Sequence, residues 1–541
     1  MVDQNSKRLY QALWNSGNIL RSKMDASEYK NYLFGLVFYK YLSDKMLYYA
    51  AELLEEEVAD INGAQQVYVD AFNDPEIKDS LIEELKFNFS YALEPELTFT
   101  ALVQAIDNDT FHIVDLERGF HNIEQSSELF ENLFEDVDLY SIKLGATAQK
   151  HNQTISVVMK ELASLDIAHQ GDILGNAYEY LVHKFASESG KKAGEFYTPQ
   201  SVSKLMAQII LQGKENQKGF SVYDPTMGSG SLLLNPKKFS NELGTLSYFG
   251  QELNTSNYNL ARMNMILHDV SVANQHLNNA DTLDTDWPTE EPSKFDGVLM
   301  NPPYSAKWSA NEGLMDDPRF SMYGVLAPKS KADFAFLLHG YYHLKDSGVM
   351  AIVLPHGVLF RGASEGKIRN ILLENGSIDT VIGLPANIFF GTSIPTTLII
   401  LKKNRDSKDV LFIDASNDYT KVNNQNELED THIDRILDAY KRREDIRKYA
   451  YVAGFNEIVK NDFNLNIPLY VDTFEEEELI SLVEVAHNMQ KNQKQIDESN
   501  RNLGQMVQEL TGTTKEAQHE LEQFITLLGF GINQGGEHNE Q

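Results

Sequence analysis

Four polar residues mark predicted strand ends at regular intervals in the middle of the chain. They are Asp224, Glu252, Asp281 and Asn301. Their spacing of roughly 20 to 30 residues leaves room for one strand, one helix and two connections in each interval. Such a repeat is typical of a doubly wound α/β sheet, in which ligands bind at the carboxyl ends of the parallel strands. We therefore expect these four residues to lie along one edge of such a sheet.

The last of these residues opens the tetrapeptide Asn301-Pro302-Pro303-Tyr304, which directly follows the apolar run Phe295–Met300. An exocyclic amine such as adenine N6 is a poor nucleophile, because its lone pair is delocalised into the ring. Acceptors that bind both of its hydrogens draw the nitrogen toward tetrahedral geometry, and the Asn301 amide oxygen and the Pro302 carbonyl are suited to this. The two prolines fix φ and keep the carbonyl aimed, while Tyr304 would stack on the ring. The pattern predicts a site that grips an amino group.

A glycine turn lies upstream, where the predicted strand Ser221–Asp224 gives way to an apolar helix. Gly228 and Gly230 allow a ligand to approach the backbone closely, and the N–H groups that follow can bind a carboxylate or phosphate. Leu233 replaces the third glycine of the dinucleotide-binding fingerprint. At the end of the next predicted strand, Glu252 is suited to bind a ribose diol. The two strand ends together predict a site for a nucleoside-containing ligand.

Composition limits the chemistry and the cellular setting. The chain has no cysteine, which excludes the covalent thiolate mechanism of C5-cytosine methylation, disulfides and cysteine-ligated zinc. His183, His268 and His356 show no metal-ligand spacing, so we expect no metal site. The polar start and the lack of a run of ~18 apolar residues predict a cytoplasmic protein without membrane association.

The net charge of −32 bears on partners. Duplex DNA is bound largely through Lys and Arg side chains that neutralise phosphates. A chain this acidic should bind DNA poorly by itself, and a basic partner would have to bring the DNA to it.

The order of these motifs resembles the amino-group methyltransferases that use S-adenosylmethionine. The segment Gly194–Val202 closely resembles the cofactor-clasping motif of one branch, the modification (M) subunits of type I restriction-modification systems. The segment Met24–Leu36 is similar to the start of the same subunits. The resemblance therefore covers most of the chain, and several separate motifs carry it.

The resemblance implies a role for each site residue. Asn301, Pro302, Pro303 and Tyr304 would hold the target amine, Glu252 the cofactor ribose and Asp281 its adenine amine. The glycine turn, comprising Asp224, Gly228, Ser229, Gly230 and Ser231, would hold the methionine portion. The clasp would consist of Glu195, Phe196, Tyr197, Thr198, Pro199 and Gln200. Phe389 or Phe390 would stack on the flipped base; neighbours in extended backbone point to opposite faces, so one of the two enters the site, and we favour Phe389.

The resemblance also implies function and partners. We expect an N6-adenine DNA methyltransferase that uses S-adenosylmethionine and works with a DNA-reading specificity subunit and a second modification subunit, with a restriction (translocase) subunit as a further candidate. Three alternatives stay open: a protein-glutamine N5-methyltransferase, a self-sufficient DNA methyltransferase and a non-catalytic assembly subunit.

Three domains are expected from 541 residues. They are a helical domain over residues 1–160, a doubly wound, Rossmann-like methyltransferase sheet over 165–470, and a helical partner-binding segment with a disordered tail over 471–541. In the last, Leu482, Met489, Ile496, Leu503 and Leu510 recur every seven residues. This spacing predicts a coiled-coil seam, which we expect to pack against a helix of a partner.

Overall fold

The structure is a computed structural model that describes residues 4–168, 175, 177–181, 198–389, 392–422, 425–472 and 481–529. Residues 1–473 form one compact unit and residues 474–541 form another. The predicted boundary between the helical and sheet regions, at residues 160–165, lies inside the first unit and stays a prediction. Within the described residues, no helix has the length and apolar character needed to cross a membrane.

The first part of the larger unit is helical. Its α-helices are α1 (Gln4–Arg21), α2 (Ala26–Leu53), α3 (Ile61–Asn73), α4 (Lys78–Phe89), α5 (Phe99–Asp107), α6 (Ile113–Glu124) and α7 (Ala148–Ala163). Side-chain oxygens of Asp60, Thr98 and Thr147 cap α3, α5 and α7 by accepting backbone N–H groups of their first turns. α2 is buried over most of its surface, as expected for a helix with apolar residues on every face.

The second part contains a mixed sheet. Its strands are β1 (Ser221–Asp224), β2 (Ser247–Glu252), β3 (Gln275–Asn279), β4 (Phe295–Met300), β5 (Leu344–Pro355), β6 (Ile378–Gly383), β7 (Thr396–Lys402), β8 (Val410–Asp414) and β11 (Ala450–Ala453), and β9 (Thr420–Val422) and β10 (Gln425–Glu427) form a separate hairpin. The order across the described sheet is β11-β8-β6-β7-β5-β4-β1-β2-β3. β3, β2, β1, β4 and β5 are parallel, while β7 runs antiparallel to both of its neighbours.

Helices cover both faces of this sheet. They are α8 (Gln200–Leu211), α9 (Ser231–Leu234), α10 (Thr255–Leu267), α11 (Asp333–Tyr342), α12 (Ala363–Glu374), α13 (Asp430–Arg442) and α14 (Phe455–Lys460). Two apolar cores result, one on each face. The central strands are mainly apolar and almost entirely buried, as is usual for strands covered on both sides. The predicted doubly wound sheet is confirmed.

α10 connects the sheet to the helical part. Its Leu260, Met263 and Leu267 belong to the core formed by the N-terminal helices, and Tyr178 donates a hydrogen bond to the carbonyl of Leu260 at 3.0 Å. One helix therefore packs on β2 and β3 with one side and on the helical part with the other.

The smaller unit contains α15 (Leu482–Gln508) and α16 (Lys515–Leu527). Ser481 caps α15 by accepting the backbone N–H of Glu484. The predicted seam residues are exposed: 84% for Leu482, 67% for Met489, 52% for Ile496 and 47% for Leu503. The helix is therefore present as expected, with its apolar stripe uncovered.

Candidate active site

The four strand-end residues lie where the spacing predicts. Asp224 is the last residue of β1 and Glu252 the last of β2, Asn301 directly follows β4, and Asp281 closely follows β3. β1 lies between β4 and β2, with β3 beyond β2. The order of strands along the chain reverses between β1 and β4, which is where sheets of this class bind ligands.

The glycine turn is tied to the end of β2 by Glu252. Its carboxylate accepts the backbone N–H of Gly228 at 3.0 Å and that of Asn254 at 2.8 Å. Gly228 and Gly230 have φ values of +54° and +78°, which other residues adopt at a cost. A Cβ at Gly228 would meet no atom of the described residues within 4 Å, whereas one at Gly230 would lie 3.3 Å from the Cβ of Ala261. Gly228 therefore faces a region at the strand ends that the described residues leave open, and Gly230 allows the turn to pack on α10.

Asp224 begins the turn in a buried environment. It is 1% exposed, and its Oδ1 accepts the backbone N–H of Thr226 at 2.9 Å and the Thr226 hydroxyl at 3.3 Å. Burial raises the pKa of Asp224 to about 7; the Glu252 carboxylate adds to this, and the bonds from Thr226 oppose it. A cation bound at this edge would favour the ionised form of Asp224.

Asp281 lies in a loop that is tied to the glycine turn. Its Oδ1 accepts the backbone N–H of Leu283 at 2.9 Å. The hydroxyl of Thr282 donates to the carbonyl of Pro225 at 2.5 Å. Arg319 donates to the carbonyls of Thr282 at 2.9 Å and Leu283 at 3.3 Å. The loop that carries Asp281 is therefore fixed on both sides.

The Asn301 amide is oriented by two hydroxyl groups. Its Nδ2 donates to Thr198 Oγ1 at 3.0 Å, and its Oδ1 accepts the Tyr304 hydroxyl at 2.8 Å. Asn301 is 8% exposed and Thr198 7%. Burial raises the pKa of the Tyr304 hydroxyl well above its usual value, so the group stays a donor. The Thr198 contact turns the acceptor end of the amide toward Tyr304.

Phe389 lies against Tyr304. The two ring centroids are 6.1 Å apart in an edge-to-face arrangement, and Phe389 is 2% exposed. In this conformation Phe389 supports the Tyr304 ring and presents little surface of its own. Its predicted stacking on a base stays a prediction, and Phe390 lies outside the described residues.

The clasp is described only in part, because Glu195, Phe196 and Tyr197 lie outside the described residues. Pro199 is the N-cap residue of α8. Gln200 donates to Glu179 Oε2 at 2.8 Å and accepts from Asn235 Nδ2 at 3.3 Å. Asn235 Nδ2 also donates to the carbonyl of Ser231 at 2.9 Å. Gln200 thereby connects the end of the clasp to the glycine turn, and Thr198 connects it to Asn301.

Comparison with known proteins decides the family. The family model described as N-6 DNA Methylase matches residues 169–479. The chain belongs to the N-6 DNA methylase family. A second model, the HsdM N-terminal domain, matches residues 9–162, which span the helical part. The expected family is confirmed, and the protein-glutamine alternative is not favoured.

Individual members of the family resemble the chain over most of its length. The methylase subunit of the type I restriction enzyme MpnII from Mycoplasma pneumoniae is 33% identical over 504 residues, which are 88% of this chain and 91% of the relative. The MjaVIII methylase subunit from Methanocaldococcus jannaschii is 30% identical over 94% of this chain and 85% of its own. The crystal structure of a type I methyltransferase subunit from Streptococcus thermophilus is 67% identical, with a TM-score of 0.85 over 87% of this chain and all (100%) of that one.

One polar cluster beside this N-6 methylase site was missed by the sequence reasoning. Asp286, His339 and His343 place their side-chain ligand atoms within 4.8 Å of one another. His339 contacts the Tyr223 hydroxyl at 2.8 Å and Arg319 at 3.1 Å. His343 contacts Asp286 at 2.9 Å and the carbonyl of Ser293 at 2.7 Å. Each ring nitrogen thus has a protein partner, and the neighbouring guanidinium opposes a divalent cation. We interpret the cluster as a structural network behind the Asp281 loop.

Proposed function

We propose that this chain is the catalytic modification subunit of a type I restriction-modification complex. It transfers a methyl group from S-adenosylmethionine to N6 of an adenine that is flipped out of duplex DNA. The observation that carries this proposal is the position of the Asn301 amide, which directly follows β4 beside the carboxylate and glycine turn of β1 and β2.

The residues at the strand ends fit the cofactor. Glu252 is half-buried at the end of β2 and would accept the ribose hydroxyls, and Asp281 would accept the adenine amine. The glycine turn, with Asp224, Gly228, Ser229, Gly230 and Ser231, would hold the methionine portion, where the described residues leave room in front of Gly228. The clasp residues Glu195 to Gln200 would close over it. S-adenosylmethionine supplies a methyl group that is already activated on a sulfonium.

The amide of Asn301 polarises the target amine. In the present conformation its Oδ1 accepts the Tyr304 hydroxyl, which satisfies a buried acceptor. When adenine enters, one hydrogen of N6 takes the place of that hydroxyl hydrogen, and the Pro302 carbonyl accepts the other. The Tyr304 ring then stacks on the base, supported from behind by Phe389. Because the acceptors are fixed in advance, the contribution of these residues is positioning and polarisation.

The chain reaches its DNA through partners. Its net charge of −32 disfavours binding to phosphates. The exposed apolar stripe of α15, formed by Leu482, Met489, Ile496 and Leu503, offers a surface for a partner helix. The relatives described above are named as methylase subunits of type I restriction enzymes. We propose a specificity subunit as the DNA-reading partner, together with a second modification subunit, and a cytoplasmic location.

The test uses the chain assembled with its specificity subunit and DNA that carries the recognised site. Asn301→Ala should cut the methylation rate by orders of magnitude while S-adenosylmethionine binding is largely kept, because the lost acceptor matters most as the nitrogen becomes tetrahedral. Asn73→Ala, at the exposed end of α3, is the matched control and should behave as wild type. Near-normal methylation by Asn301→Ala would refute the assignment of Asn301 as an acceptor for the target amine.

The same assay separates the remaining alternatives. Specific methylation by the isolated chain at physiological salt would indicate a self-sufficient enzyme. A complex that assembles on DNA but neither binds S-adenosylmethionine nor methylates would indicate an assembly subunit.

A further inference from the structure

The loop that follows Tyr304 folds back on itself as a short ribbon. The backbone N–H of Trp308 donates to the carbonyl of Lys329 at 3.1 Å, and that of Ala332 donates to the carbonyl of Ala306 at 2.9 Å. The indole N–H of Trp308 adds a bond to the carbonyl of Pro328 at 3.1 Å. Three lysines lie on this ribbon. We call Lys307, Lys329 and Lys331 the lysine ridge.

The ribbon is anchored beside the catalytic tetrapeptide. Ala306 and Trp308 pack against the core, so the alternation of extended backbone turns Lys307 outward, where it is exposed. The backbone N–H of Ser305 donates to Asp333 at 2.8 Å, and Arg361 holds the other oxygen of Asp333 at 3.0 Å. These contacts give the lysine ridge a defined position relative to Asn301.

The lysines of the ridge have no carboxylate of the described residues within ion-pair distance, although Lys331 interacts electrostatically with the Glu365 carboxylate. By contrast, Lys204 and Lys345 pair with Asp430 and Asp296. Two acidic groups of the surrounding loops have partners of their own. Asp317 binds Arg319 at 2.7 Å, and Asp284 accepts the hydroxyl of Ser309 at 2.9 Å. In a chain with a net charge of −32, three such cations beside the catalytic edge are an exception.

We propose that the lysine ridge binds the phosphodiester backbone of the DNA strand that carries the flipped adenine. This rests on the proposed function, since it assumes that Asn301 and Tyr304 hold the base. Lys307 is the third residue after Tyr304, so their Cα atoms are at most about 11 Å apart. A lysine side chain can bridge from that distance to the phosphates on either side of the base. The ridge then offsets part of the cost of flipping, which is roughly a few kcal/mol.

The test compares two double variants that lose the same charge. Lys307→Gln/Lys329→Gln removes the two exposed cations of the ridge. Lys218→Gln/Lys408→Gln removes two exposed cations that precede β1 and β8, at the opposite edge of the sheet. Each variant is assembled with the specificity subunit, and binding to two duplexes, one with and one without the recognised site, is measured over a range of salt concentrations. Calorimetry with S-adenosylmethionine confirms that the cofactor site is intact.

We expect the ridge variant to bind both duplexes more weakly by a similar factor. The slope of log affinity against log salt should fall by up to about 2, since each phosphate contact contributes about 0.9. The Lys218/Lys408 variant should keep the wild-type slope. Equal slopes for the two variants, in a complex whose wild type methylates DNA, would refute phosphate binding by the lysine ridge. The proposed function would then still stand. A loss confined to the duplex with the recognised site would also refute such binding, because phosphate contacts do not read sequence. A wild-type complex that fails to methylate would overturn both.

Discussion

The hydrogen bond between Asn301 and Thr198 provides a test of how the Asn301 amide is oriented for the proposed binding of the target amine. Thr198→Val keeps the shape of the side chain but removes the acceptor that lies 3.0 Å from Asn301 Nδ2. Both residues are more than nine-tenths buried, with exposures of 7% and 8%. A buried donor that loses its acceptor costs about 1–3 kcal/mol. The amide can recover that cost by turning its Nδ2 toward the target, which removes the acceptor from the catalytic position.

If that free energy is lost in the transition state, kcat should fall by about fivefold to 150-fold, at about 1.4 kcal/mol for each factor of ten. The assay is steady-state methylation by the assembled complex, with kcat and the KM for S-adenosylmethionine measured separately. Thr198→Ser keeps the hydroxyl and should restore most of the rate. A raised KM with unchanged kcat would instead show that Thr198 serves the cofactor, as its place in the clasp motif predicts. Unchanged kcat and KM would refute any role for the bond.

Three further predictions concern the cofactor, the pH dependence and the partner. Glu252→Ala should weaken S-adenosylmethionine binding in calorimetry by about tenfold or more, because two ribose hydroxyls lose their acceptor; unchanged affinity would place the ribose elsewhere. Burial raises the pKa of Asp224 from 3.8 to about 7. The folded chain therefore holds this proton more tightly than the unfolded chain does. Because of this difference, the free energy of unfolding should fall as pH rises from 3.8 to about 7. Denaturant unfolding of Asp224→Asn should lack this contribution, and identical pH profiles for variant and wild type would contradict it. Truncation near residue 475 should keep S-adenosylmethionine binding but abolish assembly with the specificity subunit and site-specific methylation in size-exclusion and methylation assays. A truncated chain that still assembles and methylates would show that α15 does not dock the partner.

The edge of the sheet was predictable because its signals are local. A polar residue stands at or just after the end of each of β1, β2, β3 and β4, so the spacing of Asp224, Glu252, Asp281 and Asn301 already places them at one edge. The mainly apolar runs at residues 348–354 and 394–401 lie in or overlap β5 and β7. The antiparallel direction of β7 was not predicted, since an apolar run buried on both faces looks the same in either direction.

The contacts that orient the site were not predictable in the same way. The bond from Asn301 to Thr198 and the bonds from Arg319 to the Asp281 loop join segments that are remote along the chain and carry no common pattern. Tyr304 was expected to face a base, yet its hydroxyl occupies Asn301 Oδ1 in the present conformation. A buried acceptor needs a donor when the amine is not bound, and no pattern of neighbouring residues expresses that requirement.

α10 links the helical part of the larger unit to the end of β2. The carboxylate of Glu252 accepts the backbone N–H of Asn254, and the Asn254 side chain caps α10 by accepting the N–H of Asn257. On its other side α10 is held by Arg262, which donates to the carbonyls of Glu131 at 2.8 Å and Leu129 at 2.6 Å. A shift of the helical part would therefore move α10, its cap and the Glu252 carboxylate together. On this geometry the N-terminal helices brace the end of β2 that carries Glu252, which gives a physical reason for a methyltransferase sheet to carry so large a helical region.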